Sequence, residues 1–213
     1  MPVIVVANPK GGAGKTTLST NIAGYYAAKG NAVMLGDVDR QQSARTWLGL
    51  RPAGLANIQA WEVAHDHVVR PPKGTTHVVL DTPAGLHGKR LDEVMKLADK
   101  VVVPLQPSIF DIHATHDFLR QLIAHKRGPA VQVGVVGMRT REGTIATDQL
   151  RGFIDGLDVP LIGFVRDTQN YVHLAAHGVT LWDVASSRFE RDREQWEPIT
   201  HWLEREPAAA RPT

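Results

Sequence analysis

Residues 3–17 read VIVVANPKGGAGKTT, and this stretch decides the fold. Its opening residues, Val3 to Ala7, are β-branched or small and apolar, which is typical of a strand buried on both faces of a parallel sheet. A glycine-rich turn follows, and apolar residues at helical spacing then continue as far as Lys29, before Gly30. The stretch therefore predicts a strand, a turn and a helix, the first unit of an α/β fold.

The turn has the chemistry of a phosphate-binding loop. A phosphate placed there meets unpaired backbone N–H groups and the positive end of the helix dipole, and glycines let the backbone come close. Lys15 can reach the β- and γ-phosphates of a nucleotide, and Thr16 can offer its hydroxyl to Mg²⁺. The strict pattern G-x-x-x-x-G-K-[ST] does not fit, because Pro9 stands where its first glycine would be.

Strand and helix patterns alternate along the rest of the chain. They predict a single α/β domain over residues 1–206, built on a doubly wound, mostly parallel sheet with helices on both faces. Ligands of such sheets bind at the carboxyl ends of the strands. Residues 207–213 are predicted to be a flexible tail. The predicted strands cover residues 3–7, 32–35, 76–80, 101–103, 131–136 and 159–165, and the predicted helices cover 16–29, 86–98, 112–125 and 145–154.

Composition excludes several classes of protein. The chain has no cysteine, so disulfides, thiolate zinc sites, iron–sulfur clusters and a cysteine nucleophile are excluded. No apolar stretch approaches the ~20 residues of a membrane span, and no secretory signal opens the chain, so a cytoplasmic protein is expected. With 24 basic and 22 acidic side chains, attraction to nucleic acid must come from local clustering of charge.

The segment 10–16, KGGAGKT, resembles the deviant Walker A motif of the ParA/MinD family of P-loop ATPases. The resemblance implies ATP or ADP and Mg²⁺ as cofactors, and ATP hydrolysis that is weak until a partner stimulates it. It also implies a homodimer around two ATP molecules, in which Lys10 reaches the partner's phosphates. The expected nucleotide contacts in the loop are Lys10, Gly11, Gly12, Ala13, Gly14, Lys15, Thr16 and Thr17.

Two acidic segments follow predicted strands. Residues 35–42, LGDVDRQQ, resemble the family's D-x-D-P-Q segment, with Arg40 in place of the proline. Asp37 is the predicted catalytic carboxylate, which orients the attacking water or a metal-bound water. For Asp39, a turn or capping role and a catalytic role both stay open. Asp81 ends an apolar strand as a Walker B aspartate does, so Thr16, Asp37 and Asp81 form the predicted Mg²⁺ site.

Three further segments fit the family. Residues 101–111, VVVPLQPSIFD, resemble the P-x-x-P-S-x-x-D segment that borders the dimer interface, and its prolines are expected to form a tight exit from the strand. Met138 and Arg139, which are expected to follow a strand, and residues 166–172 occupy the places that approach the adenine and the dimer face in the family.

The resemblance predicts an ATPase that binds DNA non-specifically on the nucleoid and positions a plasmid, a chromosome origin or a protein assembly through a ParB-like or cargo-adaptor protein. Residues 188–206 are expected to form a packing helix, with the apolar residues Phe189, Trp196, Ile199 and Leu203 roughly on one side. No membrane partner is expected, because this segment carries four arginines against six acidic residues. A MinD-like membrane-surface regulator and a small-molecule ligase or synthetase of the same superfold are the alternatives. The basic residues either form one DNA-binding patch or remain scattered: Lys126, Arg127, Arg139, Arg141, Arg151 and Arg188.

Overall fold

The computed structural model describes residues 1–62 and 71–206, so the predicted tail at 207–213 lies outside the described residues. The strands are β1 (Val3–Val6), β2 (Val33–Asp37), β3 (Ile58–Trp61), β4 (His77–Asp81), β5 (Lys100–Leu105), β6 (Gln132–Thr140) and β7 (Leu161–Arg166). The α-helices are α1 (Lys15–Ala28), α2 (Ser43–Leu50), α3 (Gly88–Leu97), α4 (Ile109–Ala124), α5 (Ile145–Asp155), α6 (Gln169–Ala176) and α7 (Glu190–Glu204). Two short 3-10 helices cover Gly128–Ala130 and Ser187–Phe189.

The strands form one sheet in the order β3-β2-β4-β1-β5-β6-β7, and every neighbouring pair is parallel. The side chains of β1 alternate between two hydrophobic cores, one on each face. Residues of α1, α2, α6 and α7 belong to the core on one face, and residues of α3, α4 and α5 to the core on the other. The predicted doubly wound α/β fold is confirmed.

Three short elements were not predicted from the sequence: α2, β3 and α6. Each helix has only 8 residues, and β3 has 4 residues with two exposed in its middle. Elements of this length show too few repeats of a periodic pattern to be recognised. Their presence adds an edge strand beside β2 and two helices beside the carboxyl edge of the sheet.

The predicted exit from β5 was wrong, because the strand continues through Pro104 to Leu105. Ala7 N–H bonds to Val102 C=O on the β1 side of β5. In a strand, residues two positions apart direct their backbone groups to the same neighbouring strand, so position 104 also faces the β1 side. Because β1 ends at Val6, no residue of β1 lies opposite Pro104, and its missing N–H costs the sheet no hydrogen bond. β6 is likewise longer than predicted, and Met138 and Arg139 lie within it instead of following it.

The C-terminal helix α7 packs against the sheet, as predicted. Trp196, Ile199, Trp202 and Leu203 are buried on its inner side, within the core of that face. The apolar side of α7 is thus covered by protein. Among the described residues, no helix is both long and apolar enough to cross a membrane.

Candidate functional site

The loop between β1 and α1 leaves its backbone donors free. Gly12 and Gly14 have positive φ angles of 74° and 98°, a conformation that favours glycine. A Cβ atom on Gly14 would lie 2.7 Å from the Cε atom of Met138, so the Met138 side chain would have to shift to admit it. Across the described residues, no protein acceptor bonds to the backbone N–H groups of residues 11–17. These groups form a cradle of donors at a helix N-terminus, which suits a phosphate.

Two amide side chains, which sequence reasoning missed, hold this loop in place. The Asn8 side chain accepts the N–H of Lys10 at 2.7 Å and donates to Pro104 C=O at 2.6 Å. Gln106 donates from its Nε2 atom to Gly12 C=O at 2.7 Å. Asn8 directly follows a buried strand, and only its 1% exposure in the folded chain reveals its structural role. The loop is therefore fastened to the end of β5 on one side.

Lys15 lies across the mouth of the loop. Its ammonium group donates to Lys10 C=O at 2.9 Å, and the residue is 8% exposed. Burial lowers the pKa of Lys15 below its ordinary value, and the negative charges of Asp81 and Asp39 partly oppose this effect. The Lys15 ammonium is thus held at the phosphate-binding loop, where a bound phosphate would also lie.

Asp81 meets Thr16 at the carboxyl edge of the sheet. The Thr16 hydroxyl donates to Asp81 Oδ2 at 2.6 Å, and the Ser19 hydroxyl donates to Oδ1 at 3.1 Å. Burial and, to a smaller extent, the charge of Asp37, its register partner in β2, together raise the pKa of Asp81 to about 6, against the opposing effect of the two hydroxyl bonds. A hydroxyl and a carboxylate beside a phosphate cradle are the oxygen ligands that Mg²⁺ prefers. Ser19 was not predicted, although it lies one helical turn after Lys15.

Asp37 has a structural task at the start of α2. Its Oδ1 atom accepts the N–H of Asp39 at 2.9 Å, and its Oδ2 atom accepts the N–H of Ala44 at 2.8 Å. Asp39 itself accepts the N–H of Gln41 at 3.0 Å, which is the turn role considered for it. The two carboxylates thus build the loop between β2 and α2, here called the aspartate loop (residues 37–42).

A cavity of about 450 Å³ opens beside the phosphate loop. It lies between the start of α1, the end of β6 and the start of α6. Arg139, which lines this cavity, has a φ angle of 51° at an irregularity of β6. The structure therefore brings together all the segments predicted to approach an adenine. The lining residues include Ala13, Gly14, Thr17, Met138, Arg139, Val165, Arg166, Gln169 and Tyr171.

The six predicted basic residues do not form one patch. Lys126 and Arg127 precede the first residue of β6, whereas Arg139 is its next-to-last residue and Arg141 directly follows it. A strand of 9 residues separates the two groups by ~26 Å, at about 3.3 Å per residue. Arg188 lies in the short 3-10 helix Ser187–Phe189, and its Nε atom donates to Asn170 Oδ1 at 3.0 Å.

Arginines do converge in a second cavity of about 400 Å³ between α5, β7 and α7. Arg141 pairs with Asp167 at 2.8 Å, and Arg151 lies 5.3 Å from the ring centre of Phe164. Arg166 and Arg191 complete the basic lining, and neither was among the basic residues considered for a DNA-binding patch. This arginine-lined cavity shares Arg166 and Asp167 with the cavity beside the phosphate loop.

Comparison with known proteins identifies the family. Residues 4–181 match the model of the CobQ/CobB/MinD/ParA nucleotide binding domain. A carboxysome distribution protein A (maintenance of carboxysome distribution) from Gloeobacter kilaueensis is 38% identical over 112 residues, 52% of this chain and 51% of that protein. The protein of the same description from Halothiobacillus neapolitanus is 28% identical over 191 residues, 86% of this chain and 88% of that protein. This chain thus spans about half of the first relative and most of the second.

A solved structure agrees on the fold. The MinC:MinD cell division protein complex of Aquifex aeolicus contains a chain that superimposes with a TM-score of 0.75 at 17% identity, covering 99% of both chains. The family model covers most of the chain and includes the phosphate loop, Asp37 and Asp81. The chain belongs to the CobQ/CobB/MinD/ParA nucleotide-binding domain family.

Proposed function

We propose that the chain is a Mg²⁺-dependent ATPase that dimerises around ATP, binds DNA non-specifically in that state and positions a cargo on the nucleoid. The observation that carries the proposal is the convergence of free backbone donors, Lys15 and the Thr16–Asp81 pair at one edge of the sheet. The similarity to carboxysome distribution proteins supports the cargo-positioning part of the proposal.

The donor cradle and the Lys15 ammonium bind the β- and γ-phosphates. The Thr16 hydroxyl and the Asp81 carboxylate would hold Mg²⁺, which would supply positive charge beside the phosphates. Asp81 is ionised when it does so, because a divalent cation opposes the burial that raises its pKa. Met138 and Arg139 contact the base in the cavity of about 450 Å³.

Asp37 orients the attacking water. Its Oδ1 atom accepts one backbone N–H, from Asp39, and a carboxylate oxygen can accept a second hydrogen bond. Its Oδ2 atom is committed to the start of α2. The bonds to α2 fix the direction of the carboxylate, so the free acceptor position on Oδ1 is fixed as well.

Lys10 acts on the nucleotide of a second copy. Within the described chain its ammonium has no hydrogen-bond partner, although its backbone is held by Asn8. Near the loop, Ile109 and Phe110 at the start of α4 are 55% and 77% exposed. Large exposed apolar side chains beside an unpaired cation suit a surface that another copy covers. Hydrolysis is therefore expected to be weak in the monomer and to rise when a partner protein stabilises the dimer.

DNA binding is assigned to the arginines around the second cavity and at the end of β6. The pairs of Arg141 with Asp167 and of Arg191 with Glu142 are exposed ion pairs. Exposed pairs of this kind contribute little to stability, so a phosphate can replace the carboxylate at small cost. Two copies in one dimer double the number of phosphate contacts, which makes DNA binding depend on ATP.

The test is ATP turnover measured with duplex DNA, with anionic liposomes and with small carboxylic acids. The proposal expects slow Mg²⁺-dependent release of phosphate from ATP, and an ATP turnover that rises when DNA and a partner protein are both present. Liposome-dependent turnover would favour the MinD-like alternative. Turnover that requires a small carboxylic acid would favour a ligase, and either result would overturn the proposal.

A further inference from the structure

The end of α2 is fastened by a buried arginine. The side chains of Arg51 and Asp183 are 6% and 3% exposed, and they form two parallel bonds, from Nη2 to Oδ1 at 2.8 Å and from Nη1 to Oδ2 at 2.9 Å. The remaining N–H groups of Arg51 donate to Ala56 C=O at 3.1 and 2.9 Å and to Gly178 C=O at 3.2 Å. All five donors of the guanidinium are therefore used.

Asp183 is held equally firmly. Its Oδ2 atom also accepts the N–H of Thr180 at 2.8 Å and the Thr180 hydroxyl at 2.7 Å. Burial would raise the pKa of Asp183, but the bonds from Arg51 and Thr180 outweigh burial and keep it below its ordinary value. The ion pair is thus charged, desolvated and fully hydrogen-bonded.

Backbone atoms also connect the ends of α2 and α6. The contact of Gly178 with Leu50 and Arg51, together with the Arg51–Asp183 pair, is here called the α2–α6 joint. Gly178 ends α6 with a φ angle of +66°, and a Cβ atom there would lie 2.4 Å from the Leu50 carbonyl carbon and 2.5 Å from the Arg51 nitrogen. The end of α2 and the end of α6 therefore touch through backbone atoms, with no room for a side chain. The next residues are tied to α1, because the N–H of Leu181 donates to Asn21 Oδ1 at 3.1 Å.

The other ends of these two helices lie at the candidate site. α2 begins at the aspartate loop, where Asp37 accepts the N–H of Ala44. α6 begins beside the cavity of about 450 Å³, which its residues Gln169 and Tyr171 line. A helix of 8 residues is only ~12 Å long, so a shift at one end is transmitted to the other.

We propose that Arg51 is a positioning residue that makes the aspartate loop and the base cavity move as one unit. It touches neither nucleotide nor metal, and it acts through α2 on Asp37 and through Gly178 on α6. A nucleotide whose base enters the cavity then also orders the carboxylates that face its phosphates. This inference rests on the proposed function for its kinetic consequence, while its structural core, the coupling of α2 to α6, can be tested without nucleotide.

The first experiment compares amide hydrogen exchange in the wild type and in Arg51→Lys, which keeps the buried charge but cannot form the two parallel bonds to Asp183. Gly178→Ala is a second variant that opens the same joint while leaving the ion pair chemically intact. Arg45→Lys is the matched control on α2, because Arg45 forms only an exposed pair with Glu62 at 3.6 Å. The proposal expects faster exchange at the Ala44 amide and in α6 together, in both variants and not in the control. Faster exchange confined to the residues around Arg51 would overturn it.

The second experiment measures binding of ATP and of inorganic tripolyphosphate, at a temperature where circular dichroism shows each variant to be folded. Loss of the joint should weaken ATP binding about tenfold relative to tripolyphosphate and lower turnover of bound ATP, because only the base uses the cavity beside α6. Equal changes for both ligands, or a lower melting temperature alone, would reduce Arg51 to a purely structural residue. A wild type that binds neither ligand would refute the proposed function, and the exchange experiment would still decide the coupling.

Discussion

Replacing Asp81 with asparagine is expected to stabilise the nucleotide-free protein and to remove its Mg²⁺ site. Asp81 is 2% exposed, and it accepts hydrogen bonds from the hydroxyls of Thr16 and Ser19. While no metal is bound, an ionised carboxylate in this position is costly, because the nearby Lys15 ammonium offsets only part of the cost of its burial. Asparagine keeps an acceptor oxygen and carries no charge, and either hydroxyl can turn to accept from its amide.

The size of the effect follows from the pKa. Burial, with the charge of Asp37, raises the pKa of Asp81 from 3.8 to about 6. A carboxyl group whose pKa is raised by folding contributes stability below its unfolded pKa and loses that contribution as the pH rises through the folded value. At 1.36 kcal/mol per pKa unit, ionised Asp81 costs ~3 kcal/mol above about pH 7 but only ~1 kcal/mol near pH 4.5. The advantage of Asp81→Asn should therefore grow by ~2 kcal/mol between these conditions.

The assay is urea denaturation of the wild type and Asp81→Asn, at about pH 4.5 and about pH 8, in EDTA without nucleotide. Asp155→Asn, which changes an exposed carboxylate on α5, is the control and should show no such pH-dependent difference. With Mg²⁺ and ATP present, the wild type should become more stable than Asp81→Asn, because only the wild type gains stability from the bound ligand. A stability difference that does not change with pH, or Asp81→Asn bound to Mg²⁺ and ATP as tightly as the wild type, would refute the reasoning.

Three further predictions concern the loop, the aspartates and the arginines. Lys15→Ala should abolish ATP binding, whereas Lys10→Ala should keep ATP binding in the monomer and lose dimerisation and hydrolysis. If titration calorimetry shows equal losses of ATP affinity in both variants, Lys10 has no role across the dimer. Asp37→Ala should trap an ATP-bound dimer in light scattering, and a trapped dimer with Asp39→Ala instead would assign water orientation to Asp39, whose carboxylate accepts the N–H of Gln41. Single alanine substitutions of Arg141 and Arg151 should weaken binding to every DNA sequence alike and reduce the dependence of affinity on salt, whose slope is about −0.9 per phosphate contact. Lys126→Ala, at the opposite end of β6, is the matched control and should change neither.

The phosphate loop was predictable because its chemistry is local. The strand, the glycines and the lysines that define it lie within residues 3–17, and each has one clear task. Asp81 was predictable for a related reason, since it ends a strongly apolar strand next to β1. The carboxyl ends of parallel strands meet at one edge of a sheet, so the phosphate loop after the first strand favoured a Mg²⁺-side role for Asp81 even without knowledge of the strand order.

Other parts of the site depend on contacts between distant residues. Asn8 supports the loop through Pro104, which is 96 positions away, and Arg51 reaches Asp183 across 132 positions. Short elements such as α2 and α6 owe their helical form to packing more than to their own pattern. The dual task of Asp37 also escaped prediction, because α2, whose start it fixes, was not recognised.

The central claim is that ATP, and not ADP, assembles a dimer that holds DNA. It is tested most directly by sedimentation velocity of the full chain with a fluorescent random-sequence duplex, in Mg²⁺ with either a non-hydrolysable ATP analogue or ADP. The account predicts that the duplex sediments with a protein dimer in the analogue, that it sediments alone in ADP, and that added salt releases it. A dimer that leaves the duplex free at low salt, or equal binding in ADP, would contradict the account.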